Sequence, residues 1–196
     1  MILSPLWNAA AALTVDKERV KAATLALIRA VGEDPDREGL RDTPTRIAAA
    51  YEELLKGYSE DPRSILRVEF NESSGIVLEK NIDFYSMCEH HFLPFYGRAH
   101  IGYLPAGKVI GVSKLARIVE CYSRRLQLQE RMTKQIADSL FEILKPHGVM
   151  VVTEATHLCM EIRGAKTKAN VVVSEIRGNF ADAETREEFF NLLHGS

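Results

Sequence analysis

Between Asp16 and Val31 the apolar positions Val20, Ala23, Leu27, Ile28 and Val31 recur at helical spacing, and Gly32 follows as a stop. The spacing predicts a helix over 16–31. A second helix is expected from Thr43-Pro44, with Thr43 as N-cap and Pro44 at the first helical position. Its apolar face is Ile47, Ala50, Tyr51, Leu54 and Leu55, and Gly57 ends it. From Ile65 the period shortens. Runs at 65–70, 76–79, 82–88 and 97–104 read as strands, parted by polar residues 71–75 and by Pro105-Ala106-Gly107.

Two further helices follow. One is N-capped by Ser113 and carries the stripe Leu115, Ile118, Val119 and Tyr122; the other carries Met132, Ile136, Leu140, Ile143 and Leu144. Strands over 149–162 and 168–178 form a hairpin about Gly164-Ala165-Lys166. A last helix opens at Thr185, where Glu188 completes a T-x-x-E capping box. This order predicts an α+β fold with a largely antiparallel sheet. It divides the chain into a flexible N-terminal tail over 1–15, a helical region over 16–60 and a main domain over 61–196.

Composition narrows the function. The 196 residues are 46% hydrophobic and 27% charged, which suits one compact domain with an N-terminal extension. A formal net charge of −2 supplies no global basic field for nucleic acid, so any polyanion site is local. Cys88, Cys121 and Cys159 are too few for a secreted disulfide framework. Residues 1–15 carry no charged side chain, yet they lack a basic n-region and are interrupted by Ser4, Pro5 and Asn8. They are also too short to span a bilayer. A cytoplasmic protein without a membrane segment is expected.

The densest chemistry is SMCEHHFLPF, residues 86–95, where Cys88, Glu89, His90 and His91 are consecutive. Cys88 and His91, three apart, can grip one ion from a tight turn, although such pairs also arise by chance. No C-x-x-C exists, so a structural zinc module is excluded and a third ligand must come from far along the chain. His157 and Cys159 are two apart, which on a strand puts both on one face. The combined set is Cys88, His91 and Cys159 as ligands, with His90 and His157 free for proton work. The plainer alternatives are a buried apolar Cys159 and a structural His157; a buried apolar fate suits Cys121 better.

A second region, Ser113 to Lys134, holds six basic and two acidic residues. Lys114 and Arg117 share a helical face in a first turn, where cations oppose the helix dipole unless an anion binds. The alternative is a solvated basic face. Glu130 could accept two parallel N–H bonds of the kind that a guanine edge offers.

Together these residues resemble the GTP cyclohydrolase I family. The likeness rests on Cys88-Glu89-His90-His91, on Gly111-Val112-Ser113-Lys114 through Arg117 to Gln127-x-Gln129-Glu130-Arg131-Met132-Thr133, and on His157-x-Cys159-x-x-x-Arg163-Gly164. Weaker support comes from Gly39 to Arg46 and from Thr185 to Phe189; the whole covers about residues 20 to 194. The resemblance implies Zn2+ held by Cys88, His91 and Cys159, with His90, His157 and Ser113 catalytic. It implies Glu130, helped by Gln129, on guanine, and Lys114, Arg117, Arg163 and Arg46 on the triphosphate. The implied reaction converts GTP to 7,8-dihydroneopterin triphosphate and formate, the first step of pterin and folate biosynthesis. The alternative is a paralogue that acts on another purine nucleotide or stops at the ring-opened formamide. The implied architecture is the tunnelling fold, an antiparallel sheet with two helices on one face, assembled as a homodecamer with sites between subunits. Two departures stand out. Ala49 replaces a basic residue found in some relatives, and Asn170-Val171-Val172-Val173-Ser174 replaces a Thr-rich strand.

Overall fold

The computed structural model describes residues 14–67, 69–72 and 74–195. The tail expected over 1–15 thus falls, except for its last two residues, outside the described residues. The chain divides into two compact units, one ending at Glu60 and the other beginning at Asp61.

The first unit contains α1 (Lys17–Ala30) and α2 (Thr43–Leu54), followed by a 3-10 turn over Lys56–Ser59. Asp16 caps α1 by accepting from the Arg19 N–H at 3.0 Å. Thr43 is the first residue of α2 rather than its cap; Asp42 takes that position, and the Thr43 hydroxyl donates to the Gly39 carbonyl. Thr24, Ile28 and Ala48 are the buried residues of the two helices, and a Lys17–Glu52 ion pair at 2.7 Å links them. The apolar stripe expected on α1 is only partly used, because Leu27 and Val31 remain 63% and 67% exposed.

The second unit opens with the single turn α3 (Pro62–Ile65), capped by Asp61 with Pro62 at its first position. That turn shortens the strand expected over 65–70 to β1 (Glu69–Phe70). The order continues β2 (Val77–Cys88), β3 (Pro94–Leu104), β4 (Val109–Ile110), α4 (Ser113–Ser123), β5 (Leu126–Gln127), α5 (Gln129–Leu144) and β6 (Gly148–His157). It closes with α6 (Leu158–Glu161), β7 (Asn170–Gly178) and α7 (Ala183–His194). The main sheet has the order β5-β2-β3-β6-β7, antiparallel except for the short parallel β5–β2 pair. β1 and β4 form a separate antiparallel pair.

The α+β class and the two helices on one sheet face are as expected. The face that α4 and α5 cover carries Phe84, Cys88, Phe95, Ile101, Val151 and Ala155, packed on Leu115, Ile118, Met132, Ile136 and Leu140. The alternate residues Met150 and Val152 face the other way, against Phe180 and Phe189. Fully burying each such side chain is worth roughly 1.5–3 kcal/mol. Phe189 anchors α7 over Gly102, where a Cβ would fall 2.6 Å from its ring.

Several expected boundaries move. β2 is one strand, not two; the gap is a bulge between Glu79 and Ile82, with Asn81 at φ 63° and its N–H donating to His100 Nδ1. Ser113 is the first helical residue of α4 and makes no capping bond. α7 begins at Ala183, so Thr185 and Glu188 lie inside the helix rather than forming a box at its start.

Candidate active site

The turn between β2 and β3 builds the first half of the site. The Cys88 N–H donates to the Leu93 carbonyl at 2.9 Å, the Phe92 N–H returns to the Cys88 carbonyl at 2.8 Å, and Phe92 adopts a left-handed φ of 55°. β5 braces the turn from the side, since Gln127 pairs with Cys88 and its carbonyl accepts from the Glu89 N–H at 3.2 Å. The result places Cys88 Sγ 3.8 Å from His91 Nδ1.

Glu89 is not available as a ligand. Arg131, in the first turn of α5, grips both of its oxygens, with Nη2 to Oε1 at 3.0 Å. That bidentate bond holds the Glu89 carboxyl below its ordinary range.

Cys159 arrives differently from the expectation. Phe95 and His157 form the last β3–β6 pair, next to Pro94, whose nitrogen has no hydrogen to donate. The chain then turns into α6, so His157 and Cys159 do not share a strand face. The turn nevertheless brings the ligand atoms of Cys88, His91 and Cys159 within 4.8 Å of one another. Burial, and then the neighbouring Cys88 sulfur, push the Cys159 thiol up. Two adjacent thiolates therefore need a cation between them. A divalent ion with two thiolates, one imidazole and an open fourth position fits this donor set. Arg163 reaches the same cluster, donating through Nη1 to His91 Nε2 at 2.9 Å.

His157 stands next to the triad. Its ring lies parallel to Phe95, with centroids 4.8 Å apart, and its Nε2 is 2.8 Å from Gln129 Oε1. Burial lowers its pKa, and the nearby Glu130 carboxylate opposes that shift. Glu130 itself is exposed at the second residue of α5. His90 is exposed, with its ring 6.0 Å from that of His91.

The family model for GTP cyclohydrolase I matches residues 20–194. The chain belongs to the GTP cyclohydrolase I family. It is 52% identical to the GTP cyclohydrolase 1 of Halalkalibacterium halodurans over 92% of this chain and 98% of that protein. It is 55% identical to the GTP cyclohydrolase 1 of Wolinella succinogenes over 83% and 89% of the two chains, and 50% identical to that of Hyperthermus butylicus over 92% and 93%.

Within the second unit, Ser113, Lys114 and Arg117 do not reach the cluster. They open α4 at its far end. There the Ile110 N–H donates to the Tyr103 hydroxyl, opposite Val77 at the start of β2, whereas α4 ends beside Cys88. Eleven residues of helix separate the two ends, roughly 16 Å at 1.5 Å per residue. Arg46 lies in the helical unit, where it pairs with Asp42 at 3.3 Å. Gln129 was expected to help Glu130 at a guanine edge. It turns inward instead, 1% exposed, because the core offers its amide four partners.

Phe95 and Thr153 were not foreseen, and Arg131 and Thr133 were expected only as part of the run from Gln127 that carries the resemblance, with no role assigned. One signal existed for Thr153. It is four residues before His157 and so on the same face of β6, a hydroxyl among the buried Val149, Val151 and Ala155. A buried polar group at such a position needs a partner.

Proposed function

We propose that this chain hydrolyses and rearranges GTP to 7,8-dihydroneopterin triphosphate and formate with Zn2+ as cofactor, opening pterin and folate biosynthesis. The observation that carries this is the convergence of Cys88, His91 and Cys159 to within 4.8 Å, beside the stacked His157. Those three residues would hold the ion, which supplies Lewis-acid activation of water near neutral pH.

The chain's own groups do the rest. His157 and His90 would carry protons to and from the guanine imidazole ring as it opens. With its pKa lowered by burial, His157 is mainly neutral at pH 7 and can accept a proton before returning it. Glu130, exposed in the first turn of α5, would accept from the guanine edge. Ser113 would assist opening of the ribose. Arg163, Lys114, Arg117 and Arg46 would neutralise the triphosphate.

Ser113, Lys114 and Arg117 stand at the opposite end of α4 from Cys88. A second copy of the chain would therefore supply them, in a homo-oligomer with sites between subunits, taken here as a homodecamer. Three free cysteines suit a reducing, cytoplasmic setting, and no helix among the described residues is long and apolar enough to cross a membrane.

The test is formate release and pterin fluorescence after oxidation, from GTP, with and without a chelator. Both products, abolished by the chelator and restored by Zn2+, are expected. Formate without pterin would stop the reaction after hydrolysis of the formamide, before the ribose rearranges, and refute the full conversion; neither product from zinc-loaded protein would refute it altogether.

A further inference from the structure

Gln129 is 1% exposed, and every polar atom of its amide has a partner. Its Nε2 donates to the Thr153 carbonyl at 3.1 Å, to Thr153 Oγ1 at 3.1 Å and to the Val171 carbonyl at 3.0 Å. Two of these partners are carbonyls that can only accept, so the amide cannot flip. Its Oε1 must then face His157 Nε2, 2.8 Å away.

The hydroxyls around it have a fixed direction too. Thr133 Oγ1 donates to the Gln129 backbone carbonyl at 2.7 Å, and it lies 2.8 Å from Thr153 Oγ1. The single Thr133 hydroxyl hydrogen goes to that carbonyl, so Thr153 Oγ1 donates to Thr133 Oγ1. The ring of bonds closes: Gln129 amide to Thr153, Thr153 to Thr133, Thr133 to Gln129. All three residues are buried.

We infer that Gln129, locked by Thr153, Thr133 and the Val171 carbonyl, is a positioning residue that fixes His157 in the Nε2–H tautomer and leaves Nδ1 as its working nitrogen. An amide carbonyl can only accept, so His157 keeps its hydrogen on Nε2 and presents Nδ1 in one fixed orientation. The parallel Phe95 ring, 4.8 Å away, holds the imidazole plane. The hold on Gln129 from β7 is a backbone carbonyl. That contact does not depend on the Val171 side chain.

The catalytic part of this inference rests on the proposed role of His157; the tautomer does not. The experiment is 15N NMR of histidine-labelled, zinc-loaded protein, paired with steady-state kinetics on GTP. The wild type should show His157 as Nε2–H. Gln129→Met should lose that signature, keep its zinc, and lower kcat about 100-fold with KM within about threefold. If Gln129→Met does not fold, Thr153→Val carries the test. It should lower kcat about 5–10-fold, and Thr153→Ser should restore it. An Nδ1–H tautomer in the wild type would overturn the inference. So would a Gln129→Met variant that raises KM for GTP at unchanged kcat, or a Thr153→Val variant with wild-type kcat. A wild type that makes no formate would remove the proposed function while the NMR result still decides the tautomer.

Discussion

Arg131 holds Glu89 through two parallel N–H···O bonds, so that the first turn of α5 fastens the turn carrying Cys88, His90 and His91. The pair braces the Cys88–His91–Cys159 group, which could hold a metal ion, from outside it. Arg131→Met should leave the fold intact and weaken metal retention about 10–100-fold, the usual cost of removing an outer support. Chelator competition would measure this; unchanged metal affinity would show that the turn is rigid without its clamp.

Gly97 allows β3 and β6 to approach each other just before the Phe95–His157 pair. A Cβ there would fall 1.8 Å from the Glu154 carbonyl oxygen, a backbone atom that cannot swing aside. Gly97→Ala should therefore cost more than about 4 kcal/mol or separate the two strands. Denaturant unfolding would show it. A variant within about 1 kcal/mol of wild type would mean that the sheet yields more easily than this packing implies.

How much of this was legible in the sequence depends on whether the deciding contact is local. The stripes of α4 and α5 were plain, because Leu115, Ile118, Met132, Ile136 and Leu140 repeat at the helical period and all are buried. β2 looked like two strands because the bulge at Asn81 breaks its alternation. α3 was missed, although Asp61-Pro62 is a capping residue followed by proline, because the apolar residues from Ile65 onward read as a strand. Cys88, His91 and Cys159 were legible as chemistry, while the α6 turn that unites them was not. The setting of Gln129 was hidden altogether, since Thr153 and Val171 lie 24 and 42 residues further on.

On the sheet face away from α4, His100 accepts from the Asn81 N–H through Nδ1, so its Nε2 carries the hydrogen and donates to Glu154 at 3.1 Å. Asn170 donates to the other carboxylate oxygen at 3.0 Å. The His100 bond first, then that of Asn170, hold the Glu154 carboxyl below its ordinary range. A carboxyl depressed in the folded chain adds stability that is fully present above the unfolded value, about 4.3, and disappears as pH falls through the folded value. Glu154→Gln should thus flatten the loss of stability between about pH 5 and about pH 3. Chemical denaturation across that range checks it; equal slopes in variant and wild type would count against the bond.

The distance along α4 makes a prediction about assembly. Cys88→Ser disables the metal end of a chain, and Lys114→Ala disables the anion end proposed to serve a neighbour. Each variant alone should be nearly inactive. Refolded together, they should regain part of the activity, because some interfaces will pair two intact ends. Mixtures no more active than their parts would place both ends in one chain's site.

α4 therefore has a consequence of a genetic kind. If its two ends serve different pockets, a copy damaged at both ends silences its own pocket and that of its neighbour. A fraction f of sound chains then yields about f² working pockets rather than f. Such an allele would be partly dominant over a healthy one, and its severity is set by the length of a single helix.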